Sequence, residues 1–472
     1  MARYLTTTLP YVNADAHLGH ALEFVQADCY ARALRLNGEE VFFNIGTDEH
    51  GAKVYEKAVE AGKEPQAYVD EYAERFKTFA RALDISNDSF VRTTDPAHVA
   101  TAQEFWTRCS ATGDIYRATY RVKYCVGCEL EKTDSELDHG RCPIHPNLDI
   151  ETREEENYFF RFSKYQDALL AHYQAHPDFV VPESRMRELA ALVSGGLKDF
   201  SISRRREKLP WGVPVPGDTE QVMYVWFDAL VSYLSAIGWP TDETNFKKWW
   251  PVTHFAGKDN LRQQAAMFQA MLLSAGLPLS RQVFIHGFIT SGGAKMSKSL
   301  GNVIDPITLI EKYGTDAVRY VLLRHVSPFE DSDLTEQGFA DAYEGNLVNG
   351  LGNLVARVMK LAETHLQEPI SRPDSSPFSQ ECWRMLERFE FNQVADLIWK
   401  RIQELDERIT REEPFKLVKM DNEKGKSLIA ELATELYQIG RLLNPFMPRT
   451  NEIIKKAILE NKKPKNLFPR IP

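Results

Sequence analysis

The chain has 472 residues, of which 43% are hydrophobic and 26% are charged, and its formal net charge is −10. This length predicts two or three domains, and the composition is typical of a soluble globular protein. No apolar run reaches the roughly 18 residues of a membrane span. The first strand pattern begins at Arg3 and leaves no room for a signal peptide, so we expect a cytoplasmic protein.

The N-terminal region predicts a strand, a helix and a second strand. Residues 3–10 alternate like a strand, residues 18–36 have helical periodicity, and residues 40–45 form the next strand. This order is typical of a doubly wound parallel sheet, so we predict the first half of a Rossmann-like α/β catalytic domain over residues 1–115.

An insertion over residues 116–222 is predicted to interrupt the sheet. It contains two pairs of possible metal ligands, each pair separated by two residues, and the pairs lie thirteen residues apart. Such spacing favours a tetrahedral zinc knuckle over residues 121–150, and a disulfide is disfavoured in a cytosolic chain. His139 is the alternative to the histidine of the second pair. The predicted ligands of one structural Zn²⁺ are Cys125, Cys128, Cys142 and His145.

The second half of the catalytic domain is predicted over residues 223–345, with strands near 253–256 and 283–285. From residue 346 to 472 the apolar residues recur at helical spacing, which predicts an all-α bundle. A stretch rich in Pro and Ser, residues 369–378, is interpreted as a loop between helices. The cysteines outside the insertion lie in apolar helical contexts and are predicted to be core residues: Cys29, Cys109 and Cys382.

Two short motifs predict a nucleoside triphosphate site. His17 and His20 are three residues apart at the start of a predicted helix, where free N–H groups favour phosphate oxygens, and Gly19 lets the backbone approach a ligand. Lys295 and Lys298 add positive charge in a second loop. Each motif alone is often a structural turn or a solvated loop. Both follow predicted strands, and loops at the carboxyl ends of parallel strands share one crevice.

These motifs, His17-Leu18-Gly19-His20 and Lys295-Met296-Ser297-Lys298-Ser299, resemble the "HIGH" and "KMSKS" signatures of class I aminoacyl-tRNA synthetases. Within that class the chain resembles the methionyl-tRNA synthetases over essentially its whole length. The resemblance implies activation of methionine with ATP and Mg²⁺, followed by transfer to a tRNA with a CAU anticodon. Further matching segments are residues 9–11, 46–51, 199–204, 211–217, 224–229 and 257–259.

The resemblance also implies roles for individual residues. Asp48 would hold the amino group of the amino acid, and Asp259 would contact the ribose. Gln264 departs from the family, which commonly has Phe-His and then Trp where this chain has Gln263-Gln264 and Phe268. Plain core packing is the alternative for the aromatic residues. The implied catalytic residues are His17, His20, Lys295, Lys298 and Arg204. ATP would be bound by His17, Gly19, His20, Asp259 and Lys298. The amino acid would be bound by Leu9, Tyr11, Asp48, Trp226, Tyr233 and Gln264.

Anticodon reading is implied for Asn353, Arg357 and Phe415, where the family has a tryptophan in place of this phenylalanine. The alternative is that Phe415 packs in the bundle and Asn353 caps a neighbouring turn. We expect a monomer. Two other functions stay open on the sequence: another class I ligase, such as the cysteinyl type, and a non-catalytic paralogue that binds tRNA or zinc.

Overall fold

The structure is a computed structural model that describes residues 2–128, 130–132, 136–295, 304–371 and 378–471. Among these residues, no helix is both long and apolar enough to cross a membrane. The chain divides into two compact units. The first unit comprises Met1–Asp15, Phe42–Thr78 and Asn87–Ile285. The second unit comprises Ala16–Val41, Phe79–Ser86 and His286–Pro472.

The secondary structure alternates strands and helices in the first half of the chain and is helical towards the end. The strands are β1 Ala2–Thr7, β2 Glu40–Thr47, β3 Ser89–Arg92, β4 Ile115–Cys125, β5 Leu130–Lys132, β6 Glu151–Phe160, β7 Val180–Val181, β8 Phe200–Ser201, β9 Ser203–Arg205, β10 Pro214–Val215, β11 Asp218–Met223, β12 Val252–Gly257, β13 Gln282–His286, β14 Ile289–Ser291, β15 Ala294–Lys295 and β16 Ser332–Asp333. The helices are α1 Leu18–Leu36, α2 Ala52–Glu60, α3 Pro65–Ala82, α4 Pro96–Ala111, α5 Gln166–Ala175, α6 Glu183–Ser194, α7 Val225–Ala229, α8 Ser232–Ser235, α9 Glu243–Trp249, α10 Phe268–Ser274, α11 Pro306–Tyr313, α12 Thr315–Arg324, α13 Glu336–Ala342, α14 Asn353–His365, α15 Gln380–Glu387, α16 Phe391–Glu412, α17 Pro414–Met420, α18 Asn422–Leu443 and α19 Pro448–Leu459. Two π-helical segments, Gln263–Met267 and Tyr343–Gly352, precede α10 and α14.

The main sheet has six strands in the order β3-β2-β1-β12-β13-β7. The pairs β1 with β12, β2 with β3, and β13 with β7 are parallel. Strand β1 therefore lies beside a strand that follows about 250 residues later, as Tyr4 is paired with Val252. The predicted doubly wound sheet with a long insertion is confirmed, and all residues of β12 are buried because the strand lies in the interior of the sheet.

The insertion is built on a long antiparallel pair. Strands β4 and β6 pair from Ile115 with Phe160 to Tyr124 with Glu151, and β5 and β8 extend this sheet on its two sides. Strand β4 ends at Cys125, so the far end of the hairpin carries the first predicted metal ligand. This placement holds the cysteine pair at the end of a regular element.

The second unit is mostly helical. Leu347, Leu351 and Leu354 are fully buried, as the helical spacing predicts. In the described residues after 346 the secondary structure is helical, without a strand. The predicted Pro- and Ser-rich loop falls largely on residues 372–377, which lie outside the described residues. The three cysteines predicted as core, Cys29, Cys109 and Cys382, are all buried.

A buried arginine organises the second unit. Arg319 of α12 has no exposed surface, and its guanidinium lies 2.7 Å from Asp28 of α1. The same guanidinium donates to the carbonyl oxygens of Leu83, Pro445 and Phe446 at 2.8–3.1 Å. Because a buried charge is tolerated only when it is paired and hydrogen-bonded, this cluster fixes how α1 and α12 pack.

Candidate functional site

The segments that follow β1 and β2 are joined side by side in the first unit. The backbone of Asp48 donates to Pro10 at 2.9 Å and accepts from Val12 at 3.2 Å. Tyr11 and Asp48 form an isolated parallel bridge, and Asp48 is 2% exposed. Both strands end at the carboxyl edge of the parallel sheet, which is where open α/β sheets bind ligands. The predicted amino-group ligand and the first aromatic residue are therefore neighbours.

Aromatic side chains continue this site. The rings of Tyr11 and Trp226 meet edge to face with centroids 6.2 Å apart. Leu9 is half-buried and lies close to Gly46. A Cβ atom placed on Gly46 would be 3.0 Å from Cδ2 of Leu9. Such rings form an apolar, polarizable wall of the kind that suits a thioether.

The inner wall contains Tyr233 and Gln264, which are both buried. The side-chain amide of Gln264 donates to the Tyr233 hydroxyl at 2.7 Å, and the Tyr4 hydroxyl donates to the Tyr233 carbonyl at 2.9 Å. The Tyr233 ring packs edge to face on His254 at 4.7 Å and on Phe268 at 5.6 Å. The structure thus holds the primary amide of Gln264 against a fixed phenol, that of Tyr233.

Arg204 lies in β9 and is almost fully buried. Its guanidinium donates to the Ser201 hydroxyl at 2.8 Å and to the Ser203 carbonyl at 2.7 Å, and it stacks 4.5 Å from the Tyr224 ring centroid. Asp259 is the second residue after β12, in a short 3-10 turn, and is exposed. Its position after β12 corresponds to that of Asp48 after β2, at the same edge of the sheet.

The first histidine motif is in the second unit, at the start of α1. The backbone N–H of His17 donates to His20 Nδ1 at 3.3 Å, the Gly19 N–H donates to His17 Nδ1 at 3.1 Å, and the two rings stack at 3.8 Å. A Cβ at Gly19 would lie 2.9 Å from the His17 ring, so the glycine is needed for this stack. Burial first, and then the charges of His17 and His286, hold the pKa of His20 well below its usual range.

The lysine motif begins at a hairpin that is also in the second unit. Strands β14 and β15 are antiparallel, and Gly292 and Gly293 have φ of 65° and 73° in the turn between them. This is the conformation of a two-residue hairpin that only glycine adopts without strain. The Gly293 N–H donates to Asp333 at 2.8 Å. The backbone of Lys295 ends β15, whereas Lys298 lies outside the described residues.

The four residues predicted as metal ligands come together. The Sγ atoms of Cys125, Cys128 and Cys142 and a ring nitrogen of His145 all lie within 4.8 Å of one another. Cys128 Sγ is 3.4 Å from Cys142 Sγ and 3.2 Å from His145 Nδ1. For tetrahedral zinc with Zn–S near 2.3 Å, ligand atoms lie about 3.5–3.8 Å apart, so this set fits such an ion. The alternative ligand His139 has a 97% exposed side chain and is outside the cluster.

Gly127 between the first two ligands leaves space for the imidazole. A Cβ at this glycine would lie 2.3 Å from the His145 ring. The Gly127 carbonyl also accepts a hydrogen bond from Lys53 Nζ, and that ammonium lies 5.8 Å from the Tyr11 ring centroid. Lys53 therefore connects the metal-ligand cluster with the aromatic site inside the first unit.

The predicted anticodon readers are all in the second unit. Asn353 begins α14 and donates to the Asn349 carbonyl at 3.2 Å, within its own helical run, so it does not cap a neighbouring turn in this contact. Arg357 is paired with Asp406 and donates to Thr410 at 3.5 Å, both on α16. Phe415 on α17 is 46% exposed, so its ring is not part of the bundle core.

Comparison with known proteins agrees with this geometry. The chain matches the family described as tRNA synthetases class I (M) over residues 3–149 and 136–359. The chain belongs to this family. It is 38% identical to the methionine–tRNA ligase of Thermotoga maritima over 98% of this chain and 76% of that protein. The enzyme of the same name from Thermosynechococcus vestitus is 50% identical over 76% of this chain and 68% of its own length.

A solved structure has the same fold as this family member. The Mycobacterium tuberculosis methionyl-tRNA synthetase in complex with methionyl-adenylate superimposes with a TM-score of 0.90 at 35% identity, and the match covers 99% of this chain and 100% of that one. The helical C-terminal region is included in this match. The predicted fold class is thus confirmed over essentially the full chain.

Three buried polar residues near the site were missed by the sequence analysis. Asp228, which is fully buried, accepts from His50 Nδ1 and His98 Nε2, both at 2.6 Å. Burial acts to raise the pKa of Asp228, but the charges and hydrogen bonds of the two histidines lower it to about 2. The sequence contained a signal for this network, because Asp228 lies inside the apolar run from Trp226 to Leu230. A carboxylate that is buried with such a run needs hydrogen-bonding or charged partners. This network joins α7, α4 and the segment after Asp48.

Proposed function

We propose that this chain is a methionine–tRNA ligase, which converts L-methionine and ATP to methionyl-adenylate and pyrophosphate and then transfers the methionyl group to the 3′ end of its tRNA. The observation that carries the proposal is the joined pair of Tyr11 and Asp48 at the carboxyl edge of the sheet, next to Trp226. It offers one carboxylate for an ammonium group and an aromatic wall for a thioether. The relatives named methionine–tRNA ligase support the same function.

The first step needs positioning and charge stabilisation more than proton transfer. The methionine carboxylate oxygen attacks the α-phosphorus of ATP, the new P–O bond forms, and the bond to the β-phosphate oxygen breaks, so pyrophosphate leaves with the electron pair. A carboxylate is already nucleophilic, and no general base is required. In our proposal His17, His20, Lys295 and Lys298 donate to phosphate oxygens as negative charge moves, beside Mg²⁺ bound to the triphosphate. Preorganised donors of this type contribute about 3–4 kcal/mol each to transition-state stabilisation.

The low pKa of His20 bears on which of its ring nitrogens can donate to a phosphate oxygen. Burial, and then the charges of His17 and His286, favour the neutral ring. A neutral imidazole donates from one nitrogen only, and His20 Nδ1 accepts from the His17 backbone. The Nε2 atom is therefore the one that carries the proton and can donate to a phosphate oxygen. In our proposal Gly19 lets the backbone at this helix start approach the nucleotide, and Asp259 contacts the ribose.

The binding of methionine is assigned to the first unit. Asp48 would hold the ammonium group, while Leu9, Tyr11, Trp226 and Tyr233 would surround the side chain, with Gln264 behind Tyr233. Arg204, held by Ser201 and Tyr224, would face the reacting carboxylate and phosphate. Packing energy from these apolar contacts can distinguish one methylene by about 1–3 kcal/mol.

The zinc assignment rests on the donor set. Three thiol groups and one imidazole match the ligands of structural zinc sites, and four protein ligands leave no position open for a substrate. Zn²⁺ bound by Cys125, Cys128, Cys142 and His145 would stabilise the end of the β4–β6 hairpin. In our proposal it has no part in the chemical step.

We assign tRNA recognition to the second unit, with a CAU anticodon contacted by Asn353, Arg357 and Phe415. An amide, a guanidinium and an exposed ring suit the edges and faces of unstacked bases. We propose further that the protein is a cytoplasmic monomer. Because the chain is acidic overall, its contacts with the tRNA phosphates must come from local positive groups such as Arg357.

The test is amino-acid-dependent exchange of pyrophosphate into ATP, measured separately with each of the twenty amino acids. We expect exchange with methionine and a requirement for Mg²⁺. Exchange driven by cysteine or leucine instead would refute the substrate assignment. If protein that shows a cooperative thermal unfolding transition gives no exchange with any amino acid, the non-catalytic paralogue is favoured.

A further inference from the structure

The helix behind the inner wall contains one π-helical turn, Gln263–Met267, immediately before α10. A π turn shifts the backbone hydrogen bonds from the fourth to the fifth residue, as in the bond from the Phe268 N–H to the Gln263 carbonyl, and this widens the helix. Leaving a buried carbonyl group unpaired costs about 1–3 kcal/mol, so side-chain donors to the carbonyl groups of the turn can stabilise it. The turn carries Gln264, whose amide holds the Tyr233 hydroxyl.

Two side chains from outside the turn supply these donors. Gln269 Nε2 donates to the Gln264 carbonyl at 2.7 Å, and the Tyr173 hydroxyl of α5 donates to the Ala265 carbonyl at 2.7 Å. Gln269 is fully buried and Tyr173 is 4% exposed, so neither bond competes with solvent. Two successive carbonyl groups of the turn are thus each bonded by a side chain, which fixes the turn in its widened form.

Gln269 is also held on its other side. Its Nε2 donates to the Ser280 hydroxyl at 3.1 Å, and its Oε1 accepts from the Ser280 N–H at 3.0 Å. The same hydroxyl lies 2.9 Å from His254 Nε2, and the His254 ring packs 4.7 Å from Tyr233. The contacts therefore form a closed ring of side chains that begins and ends at Tyr233. One half of the ring runs through Gln264 and Gln269, and the other half runs through Ser280 and His254.

We propose that Gln269 and Tyr173 are positioning residues that set the side-chain selectivity of the amino-acid pocket by holding the π turn. The inference rests on the proposed function, because it concerns the pocket for methionine. If either donor is removed, the turn can return towards a regular helix, and Gln264 then moves with respect to Tyr233. The inner wall becomes less well defined, so methionine binds less tightly and a longer side chain is rejected less strongly.

The experiment uses the full chain in pyrophosphate exchange with methionine and with ethionine, whose side chain is one methylene longer. The variants are Tyr173→Phe, which removes one oxygen, and Gln269→Met, which keeps the length and removes both polar groups. We expect KM for methionine to rise about tenfold, as loss of one buried hydrogen bond allows. We expect kcat and KM for ATP to stay within about twofold, and the preference for methionine over ethionine to fall at least about fivefold.

A matched control is Tyr165→Phe, which removes another buried hydroxyl nearby, one that donates to Asp114 and not to the π turn. It should keep both the KM for methionine and the selectivity. Because the two positioning residues act on one turn, the double variant should lose less selectivity than the product of the two single losses.

Three results would overturn the inference while leaving the proposed function intact. These are unchanged KM and selectivity in both variants, equal losses for methionine and ATP, or the same change in the Tyr165→Phe control. If the unaltered chain itself fails to use methionine, the proposed function fails instead. Should Gln269→Met not fold, Tyr173→Phe decides the question alone, since it changes a single atom.

Discussion

At the scale of single residues, two buried titratable groups of the first unit illustrate opposite outcomes of burial. His254 has a pKa lowered to about 3 because burial disfavours its charged form. Asp228 is also fully buried, yet contacts with His50 and His98 overcome the effect of burial and hold its pKa at about 2. The first group is therefore neutral and the second charged over the whole physiological range. Each state depends on neighbours that the fold brings together.

His254 predicts a specific dependence of stability on pH. Its pKa is near 6.5 when the chain is unfolded and about 3 when it is folded. Between these values the unfolded state binds more protons, so the free energy of unfolding falls as the pH is lowered, by up to about 1.4 kcal/mol per pH unit. His254→Gln removes this contribution and keeps a polar partner for the Ser280 hydroxyl. Chemical denaturation at pH 7.5, 6 and 5 should show the variant gaining stability relative to the unaltered chain below pH 6.5.

The control for this measurement is His176→Gln, which changes an exposed histidine in the same unit. Because this substitution leaves the buried ring of His254 in place, the loss of stability below pH 6.5 should persist in this variant. If the His254→Gln profile runs parallel to that of the unaltered chain, His254 binds protons equally in the folded and unfolded states, and its burial does not have the effect described.

Lys298 gives the strongest prediction for catalysis. Lys298→Ala removes a positive charge that in our proposal acts on the phosphates mainly in the transition state, so methionine-dependent exchange should fall at least about a hundredfold in kcat. Lys247→Ala, in an exposed pair with Glu243, is the matched control and should stay near the unaltered rate. A rise in the KM for ATP with kcat unchanged would instead mean that Lys298 serves ground-state binding.

At the scale of secondary structure elements, the sequence pattern is sufficient to predict an element where its periodicity agrees with its burial in the fold. The predicted helix over residues 18–36 has the bounds of α1, and the strand patterns near residues 253–256 and 283–285 correspond to β12 and β13. These elements are long or wholly buried, so their periodicity reflects one environment. The metal-ligand cluster was also predictable, because its spacing is imposed by a single ion.

The π turn and the Asp228 network could not be predicted in the same way. The residues from Gln263 to Met267 fit a regular helix on pattern alone. Two carbonyl groups of the turn accept from the side chains of Gln269 and Tyr173, the second about 90 residues earlier in the chain, and in our proposal these donors hold the widened turn. Asp228 likewise depends on His50 and His98, which are remote in sequence. Such features arise from tertiary contacts that local sequence does not encode.

The metal-ligand cluster predicts a local effect. The protein should contain about one zinc per chain, and Cys142→Ser should lose it, since a hydroxyl is a poor substitute for a thiolate ligand. Hydrogen exchange should then rise in residues 121–150, while the thermal transition of the rest persists because the main sheet does not contain the ligands. Metal content measured on protein purified without chelator tests this.

His139→Ala is the control for the zinc experiment, because its exposed side chain lies outside the cluster. It should keep the full metal content and the exchange pattern of the unaltered chain. Zinc near zero in the unaltered protein, or equal loss in both variants, would contradict the assignment.

At the scale of the whole molecule, the residues proposed for methionine and those proposed for the anticodon belong to different compact units. Tyr11, Asp48 and Trp226 lie in the first unit, whereas Arg357 and Phe415 lie in the second. Exchange of pyrophosphate requires no tRNA, whereas charging requires both substrates. The two assays therefore separate damage to amino-acid activation from damage to anticodon reading.

Arg357 provides the decisive measurement of this separation. In the structure its guanidinium is paired with Asp406, in a contact that is partly exposed on both sides and thus worth at most about 1 kcal/mol, so a base can displace it at little cost. Arg357→Ala should reduce the charging of a tRNA with a CAU anticodon about tenfold or more, and Phe415→Ala should reduce it less, since stacking on a base is worth about 1–3 kcal/mol. Exchange with methionine should stay nearly unchanged in both variants.

The control is Arg388→Ala, which changes an exposed arginine paired with Glu390 in the same unit and should leave both assays unaltered. Equal losses in charging and exchange would mean that Arg357 and Phe415 support the fold of the second unit and do not read the anticodon.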